Sequence, residues 1–95
     1  MTDNVFIALQ NNAEAQPIIE AIAEDNPGAV TNETPGMVKI DCPGRLVVKR
    51  ETIEGKIGRD FDLQELHINL VSIGGNIDED DDEFVLSWGA ERHRN

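Results

Sequence analysis

Cysteine and aromatic residues are scarce in this sequence, and their scarcity excludes several kinds of protein. The single cysteine, Cys42, cannot form an intrachain disulfide and supplies too few thiolates for a metal cluster, so a reducing, cytoplasmic setting is favoured. Phe6, Phe61, Phe84 and Trp88 are the whole aromatic set, and tyrosine is absent. The core must therefore be built mainly from Ile, Leu and Val.

Positive charge is also in short supply, and the sequence has no long apolar run. Nineteen acidic residues against eight basic ones give a formal net charge of -11. Such a charge repels phosphate backbones and anionic membrane surfaces and favours cationic partners. No apolar stretch approaches about 18 residues, and the N-terminus has no basic segment followed by an apolar one. We therefore expect no nucleic-acid binding, no membrane insertion and no secretion.

The charges that are present are unevenly distributed. Most of the basic residues lie between Lys39 and Arg59, whereas Asp78 to Glu83 are six consecutive carboxylates. A dipolar pattern of this kind can orient a docking encounter with another protein.

The N-terminal part of the chain has the pattern of a strand followed by a helix. Val5 to Leu9 is a short apolar run, which predicts a buried strand. Asn26-Pro27-Gly28 ends the helix, and Pro17 means either that the helix begins near Ala15 or that its first turn is irregular. The apolar residues that share one face of this helix are Ala15, Ile18, Ile19, Ile22 and Ala23.

Three further strands are predicted at residues 29–32, 37–41 and 45–50. The connection Cys42-Pro43-Gly44 is short enough to predict an antiparallel hairpin between the last two. Alternation places four residues of this hairpin inward, namely Val38, Ile40, Leu46 and Val48. It places three basic residues near the outer surface, namely Lys39, Arg45 and Lys49.

The C-terminal half has shorter elements. The sequence predicts a brief helix at 52–56 ended by Gly58 and a turn capped by Asp62. Strands are predicted at 66–71 and 84–88, while residues 90–95 lack apolar periodicity and should fray. Residues 1–95 are expected to form one domain, ordered over about 4–89. The fold class is α+β, with small antiparallel sheets, one main amphipathic helix and short helical turns, and the order is compatible with two similar β-α-β halves.

Catalytic motifs are missing from the sequence. Ser72, Ser87 and Cys42 are candidate nucleophiles and His67 and His93 candidate bases, but none lies in a nucleophile-elbow or similar motif. A hydrolase is therefore not indicated.

Two motifs resemble ligand-binding loops, one for calcium and one for phosphate, but each lacks a residue that such a loop needs. The acidic run lacks the glycine that a calcium loop needs at its sixth position, where Glu83 stands, so a solvated loop is favoured, with or without a docking role. Gly74-Gly75-Asn76 lacks the lysine of a phosphate-binding loop and leads into the acidic run, so a turn is favoured over a phosphate site. The two glycines are also compatible with close approach of a partner's backbone.

The C-terminal third resembles a known family. The segment from Ser72 to Asp82, SIGGNIDEDDD, followed by Phe84-Val85-Leu86 and Trp88, is similar to the effector proteins of bacterial multicomponent monooxygenases, and most of all to phenol hydroxylase regulatory components. The resemblance covers about residues 5 to 88. Its other blocks are Val5 to Gln10, Glu20-Ala21-Ile22, Asp25-Asn26-Pro27, Arg50-Glu51-Thr52, Gly58-Arg59 and Gln64-Glu65.

The resemblance implies a cofactor-free, non-catalytic protein that docks on a di-iron hydroxylase. In such systems a separate reductase carries flavin and an iron-sulfur centre and passes electrons from NADH, and the hydroxylase oxidises phenol or a related aromatic. The alternative from the residues alone is a free-standing acidic module that binds a basic protein or a divalent ion. We expect docking through the rim of a sheet, either by Asn76 with the acidic segment, Asp78 to Asp82, or by the basic stripe, Arg45 to Arg50. The docking candidates are Arg45, Lys49, Arg50, Gly74, Gly75, Asn76, Asp78, Asp80 and Asp81.

Overall fold

The computed structural model describes residues 4–88, which form two antiparallel sheets. The strands are β1 (Asn4–Gln10), β2 (Val30–Glu33), β3 (Met37–Pro43), β4 (Arg45–Lys49), β5 (Leu70–Gly74), β6 (Asn76–Glu79) and β7 (Glu83–Ser87). The helices are α1 (Gln16–Asp25), α2 (Arg50–Ile57) and α3 (Leu66–Asn69), with a 3-10 turn at Leu63–Glu65. The α+β class predicted from the sequence is confirmed. The tail predicted to fray, residues 90–95, lies outside the described residues.

The two sheets repeat one topology. The first has the strand order β2-β3-β1-β5 and the second the order β4-β7-β6. In the units β1-α1-β2-β3 and β4-α2-β6-β7, the last strand lies between the other two. The topology therefore contains two similar halves, an arrangement with which the order of elements in the sequence is compatible. The additional strand β5 belongs to the second half of the chain but pairs with β1 of the first sheet.

One hydrophobic core joins the sheets and the helices. Alternate residues of β1, β3, β4 and β7 point into it, and α1 packs against both α2 and β4. Its largest fully buried side chains are aliphatic apart from Phe84, as the shortage of aromatic residues predicts. None of the helices in residues 4–88 has the length and apolar character needed to span a bilayer.

Helix α1 begins close to its predicted start. Pro17 stands in the first turn, where the backbone N–H groups make no hydrogen bonds within the helix, so the missing N–H of proline costs nothing there. The helix therefore begins near Ala15 with a regular first turn. One assignment was wrong, because Ala23 is exposed and Ala21 is buried in its place. The contact of α1 with α2 as well as β4 shifts the buried face of the helix towards Ala21.

The predicted hairpin between β3 and β4 is wrong. Strand β3 already has β1 on one edge and β2 on the other, so it has no free edge for β4. Gly44, with φ 74°, turns the chain out of the first sheet, and β4 pairs with β7 in the second. The predicted inward faces of both strands are nevertheless correct, because alternation fixes the face of a strand and not its partner.

The strand predicted at 66–71 is also wrong in its first part. The Asp62 carboxylate accepts a hydrogen bond from the Gln64 N–H at 2.9 Å, and the Glu65 carboxylate accepts one from the Asp62 N–H at 3.1 Å. This capping box starts a helical turn that continues through α3 to Asn69. The strand begins only at Leu70, and His67 therefore lies on a helix.

The free edge of β4 is closed by one side chain. The Asn26 amide nitrogen donates to the Val47 carbonyl oxygen at 2.7 Å, and its oxygen accepts from the Val47 N–H at 2.9 Å. The same nitrogen donates to the Ile22 carbonyl oxygen at 2.7 Å, near the end of α1. Asn26 thus replaces a neighbouring strand at this edge and fastens α1 to the second sheet.

Candidate functional site

Docking candidates from distant parts of the chain lie on one face of the three-stranded sheet. Side chains of directly paired residues in antiparallel strands point to the same side. The cross-strand rows on the side away from the core are Arg45–Ser87–Asn76, Val47–Val85–Asp78 and Lys49–Glu83. We call these eight residues the mixed-charge face.

The mixed-charge face has opposite charges at its two edges. Arg45 and Lys49 lie on the edge strand β4, and Asp78 lies on the edge strand β6 beside Asn76. Val47 lies between Arg45 and Lys49 on β4 and pairs with Val85 on the central strand β7, where Val85 is buried. The sequence offered the acidic segment and the basic stripe as alternatives, but the sheet places members of both on one surface.

The acidic run forms a tight hairpin instead of the predicted loop. Its first two residues belong to β6 and Glu83 belongs to β7, so the turn consists of Asp80, Asp81 and Asp82. One Asp80 carboxylate oxygen accepts hydrogen bonds from the Glu83 N–H at 2.9 Å and the Asp82 N–H at 2.8 Å. These bonds hold the pKa of Asp80 below its usual value, and the bond from the Glu83 N–H has the larger effect. Asp80 therefore shapes the turn, whereas Asp81 is exposed at its tip.

Arg50 lies at the start of α2 and is bound to this turn. Its N–H donates to the Asp82 carbonyl oxygen at 2.9 Å, and its Nη2 donates to Asp82 Oδ1 at 2.7 Å. Its Nη1 lies 3.5 Å from Glu54 Oε2. The pKa of Arg50 is raised mainly by the hydrogen bond to Asp82 and, to a smaller extent, by the charge of Glu54. The charge of Arg50 is therefore paired with two carboxylates of its own chain.

The two glycines of the Gly74-Gly75-Asn76 turn are required by packing inside the chain. A Cβ at Gly74 would overlap the Phe6 ring, and one at Gly75 would lie 3.0 Å from Val5 Cγ1. Gly75 also has φ 134°, a conformation that residues with a side chain rarely adopt. The sequence-based interpretation as a turn fits this geometry. Close approach of a partner stays a prediction.

A cleft beside the hairpin turn joins residues that sequence reasoning did not connect. It has a volume of about 610 Å³ and is lined by Arg50, Asp60, Phe61, Asp62, Glu65, Asp81 and Asp82. The acids of the 60–65 segment lie far from the hairpin in sequence, and no motif links them to it. Helix α2 contacts both segments, because Glu54 accepts a hydrogen bond from the Phe61 N–H and Arg50 donates one to Asp82.

Among the candidate nucleophiles and bases, Cys42 is buried and His67 contacts other side chains, whereas His93 lies outside the described residues. Burial raises the pKa of the Cys42 thiol, which opposes formation of a thiolate. The His67 imidazole lies 3.4 Å from a Glu79 carboxylate oxygen and packs edge-on against the Phe84 ring. Within residues 4–88, no cluster of three or more His, Cys, Asp or Glu side chains is arranged to hold a metal ion.

These features define a small α+β protein of two β-α-β-β units whose most distinctive surface is a charged sheet face. The chain belongs to the MmoB/DmpM family, whose sequence profile matches residues 3–87. It is 48% identical over 88 residues to the stimulatory component DmpM of phenol 2-monooxygenase from Pseudomonas sp. (strain CF600). That alignment covers 93% of this chain and 98% of the relative.

Solved structures also show similarity to regulatory proteins of monooxygenases. Two structures of a phenol hydroxylase–regulatory protein complex contain chains that are 50% and 48% identical, with TM-scores of 0.87 and 0.85. Each match covers 90% of this chain and 99% or 100% of the other. The soluble methane monooxygenase regulatory protein B shares the fold, with a TM-score of 0.73 at 22% identity over 98% of this chain and 72% of its own.

Proposed function

We propose that this protein is the regulatory, or coupling, component of a multicomponent monooxygenase that hydroxylates phenol or a related aromatic. It acts without chemistry of its own, by docking on the hydroxylase component. The observation that carries the proposal is near full-length identity of 48% to a stimulatory component of phenol 2-monooxygenase. Similar chains in complexes of phenol hydroxylase with its regulatory protein support the same partner.

The redox chemistry belongs to the other components in this proposal. The hydroxylase carries the di-iron centre, and a reductase with flavin and an iron-sulfur cluster supplies electrons from NADH. The system operates in the bacterial cytoplasm, a setting that suits a chain whose single cysteine is buried and unpaired.

A protein without a cofactor can change a distant reaction only by preferring one conformation of its partner. If it binds one state of the hydroxylase more tightly than another, it raises the population of that state by the difference in affinity. Surface contact is sufficient for such an effect. A charged and partly apolar sheet face is suited to it.

The docking surface we propose is the mixed-charge face together with the adjoining hairpin turn. Asp78 presents negative charge at the β6 edge and Asp81 presents it at the tip of the hairpin turn, whereas Arg45 and Lys49 present positive charge along the β4 edge. Asn76 lies in the same row as Arg45. Gly74, Gly75, Asp80 and Arg50 set the shape of this region through the contacts described above, so we assign them a supporting role in docking.

The proposed function predicts a saturable increase in coupling. Purified hydroxylase and reductase should form more hydroxylated phenol per NADH consumed when this protein is added, and the gain should level off near one equivalent of protein per hydroxylase site. Product and NADH are measured in the same reaction. The same amount of heat-unfolded protein serves as control. If product rate and product per NADH are both unchanged, the proposed function is wrong.

The proposed docking surface predicts a loss of electrostatic steering when its acidic end is neutralised. Asp78→Asn with Asp81→Asn should slow association with the hydroxylase several-fold at low salt and flatten the salt dependence of the rate. Asp80 is left in place because its carboxylate holds the turn. Stopped-flow or biosensor association rates at several salt concentrations give the measurement.

The matched control removes the same two charges elsewhere. Glu20 and Glu33 are exposed on α1 and β2, outside the three-stranded sheet, and both are changed to Gln. Equal slowing in the two double variants would show that net charge alone steers the encounter. That result would remove the acidic end of the face from the docking surface.

A further inference from the structure

Arg50 is bound to the hairpin turn through Asp82, so its role can differ from that of a basic side chain that attracts a partner by its charge. We infer that Arg50 is a positioning residue for docking: it holds the β6–β7 turn against α2, so that Asp81 and Asp78 meet the hydroxylase in a fixed geometry. This inference rests on the proposed function. It separates Arg50 from Arg45 and Lys49, which share the mixed-charge face.

Two hydrogen bonds from Arg50 converge on one residue of the turn, Asp82. The Asp82 carbonyl oxygen accepts a hydrogen bond from the Arg50 N–H at 2.9 Å. The Asp82 carboxylate accepts a second one from the Arg50 guanidinium at 2.7 Å. A backbone bond and a charge-assisted bond between the same two residues fix both the position and the orientation of the turn. Asp81 is adjacent to Asp82, so its direction is set by the same contact.

The contact between Arg50 and the turn continues into the rest of the molecule. Glu54, one helical turn after Arg50, lies 3.5 Å from the guanidinium and also accepts a hydrogen bond from the Phe61 N–H at 2.8 Å. The hairpin turn, α2 and the segment after α2 are thereby joined in one chain of interactions. The Phe61 side chain is buried in the core. The turn is therefore anchored to the core through Arg50.

The guanidinium of Arg50 has a shape that suits contact with two carboxylates. Its Nη2 reaches Asp82 and its Nη1 reaches Glu54, while its Nε is buried without a hydrogen-bond partner. A planar fork can meet two carboxylates at once, whereas a lysine ammonium is a single point of charge on a flexible stem. Arg50→Lys should therefore preserve the net charge and restore only part of the positioning.

Positioning and charge steering predict opposite results for the loss of Arg50. Arg50→Gln makes an already acidic protein one unit more negative and releases the Asp82 carboxylate from its partner. If only attraction to a cationic partner mattered, this variant would associate at least as fast as the original protein. If Arg50 positions the turn, the variant binds more weakly although its charge is more favourable.

The test compares two substitutions that each remove one positive charge. Arg50→Gln breaks the ion pairs with Asp82 and Glu54, whereas Lys56→Gln breaks one ion pair remote from the hairpin. Lys56 forms an ion pair with Glu24 at 2.8 Å, between α1 and α2 and away from the hairpin, so Lys56→Gln is the matched control. We expect Arg50→Gln to weaken affinity for the hydroxylase about fivefold to tenfold, mainly through faster dissociation. Lys56→Gln should leave affinity unchanged or slightly raised. Arg50→Lys should fall between Arg50→Gln and the original protein.

Unfolding measurements separate docking from loss of structure. Each variant is unfolded in urea, and affinity is compared only where the protein is folded under the binding conditions. Asp82→Asn tests the same contact from the turn, and Arg50→Gln with Asp82→Asn should bind no more weakly than Arg50→Gln alone. If Arg50→Gln binds like Lys56→Gln, or if the losses in the double variant add fully, the inference is overturned. If the original protein does not bind the hydroxylase at all, the proposed function itself fails.

Discussion

Replacing Asn26 by alanine should lower the free energy of unfolding by about 3 kcal/mol, since each buried backbone group left without a partner costs about 1–3 kcal/mol. The amide makes two hydrogen bonds with Val47 on the edge of β4 and one with Ile22 near the end of α1, and Asn26 is almost fully buried. Alanine can make none of these bonds. The substitution also frees the edge of β4 and removes its hydrogen-bonded link to the end of α1.

Urea unfolding followed by circular dichroism would measure this loss. Asn32→Ala is the control, because Asn32 is exposed on β2 and its side chain has only a long hydrogen bond to Asp41, at 3.4 Å. We expect the control to change the free energy of unfolding by less than about 0.5 kcal/mol. Equal effects of the two substitutions would mean that Asn26 does not close the edge of β4.

Replacing Gly75 by alanine should destabilise the protein by about 2 kcal/mol, the cost typical of a strained backbone conformation. With φ 134°, Gly75 occupies a region that is nearly closed to residues with a side chain, and an added Cβ would also press on Val5. Because Val5 is fully buried, it cannot move aside without disturbing β1. A chain forced out of this conformation could not pass directly from β5 into β6.

Gly55→Ala is the matched control for Gly75→Ala. Gly55 lies inside α2, and a Cβ added there would have no heavy atom within 4 Å. Alanine at that position should stabilise the protein by roughly 0.5–1 kcal/mol, because glycine loses more backbone freedom on entering a helix. The two substitutions add the same methyl group, so opposite signs are expected. Destabilisation of similar size at both positions would contradict the strain assigned to Gly75.

The faces and caps of the elements could be predicted from the sequence because they depend on local spacing. The inward residues of β3 and β4, the early position of Pro17 in α1 and the cap at Asp62 are examples. The partner of β4 could not be predicted in this way. A short connection after β3 favours a hairpin, but β1 and β2 already occupy both edges of β3, and that competition involves residues distant in sequence.

The helical geometry of Leu66 to Asn69 was missed for a similar reason. Alternation of apolar and polar residues favours a strand there, yet the preceding capping box begins a helical turn, and Asn69 becomes buried. The Asn69 side-chain oxygen accepts a hydrogen bond from Asn12 at 3.0 Å. A bond between residues so far apart in sequence leaves no local pattern.

The candidate site was predictable in its residue types and not in its geometry. The charge pattern and the family resemblance single out the basic stripe and the acidic run, but they do not show that Arg45 and Asn76 share a row across β7. Nor do they show that Arg50 faces Asp82. Its neighbour Lys49 ends a strand, whereas Arg50 begins a helix, and this change of backbone direction gives adjacent basic residues different partners.

Strand β5 determines when the protein can be completed during synthesis. The first unit, β1 to β3, leaves one edge of β1 open until residues 70–74 arrive. A ribosome must therefore release most of the second unit before the first sheet is closed. During that interval a nascent chain exposes an unpaired strand edge, which is a site where partly folded chains can associate with one another. The two units resemble each other in topology, but the first sheet depends on a strand from the second half of the chain for its completion.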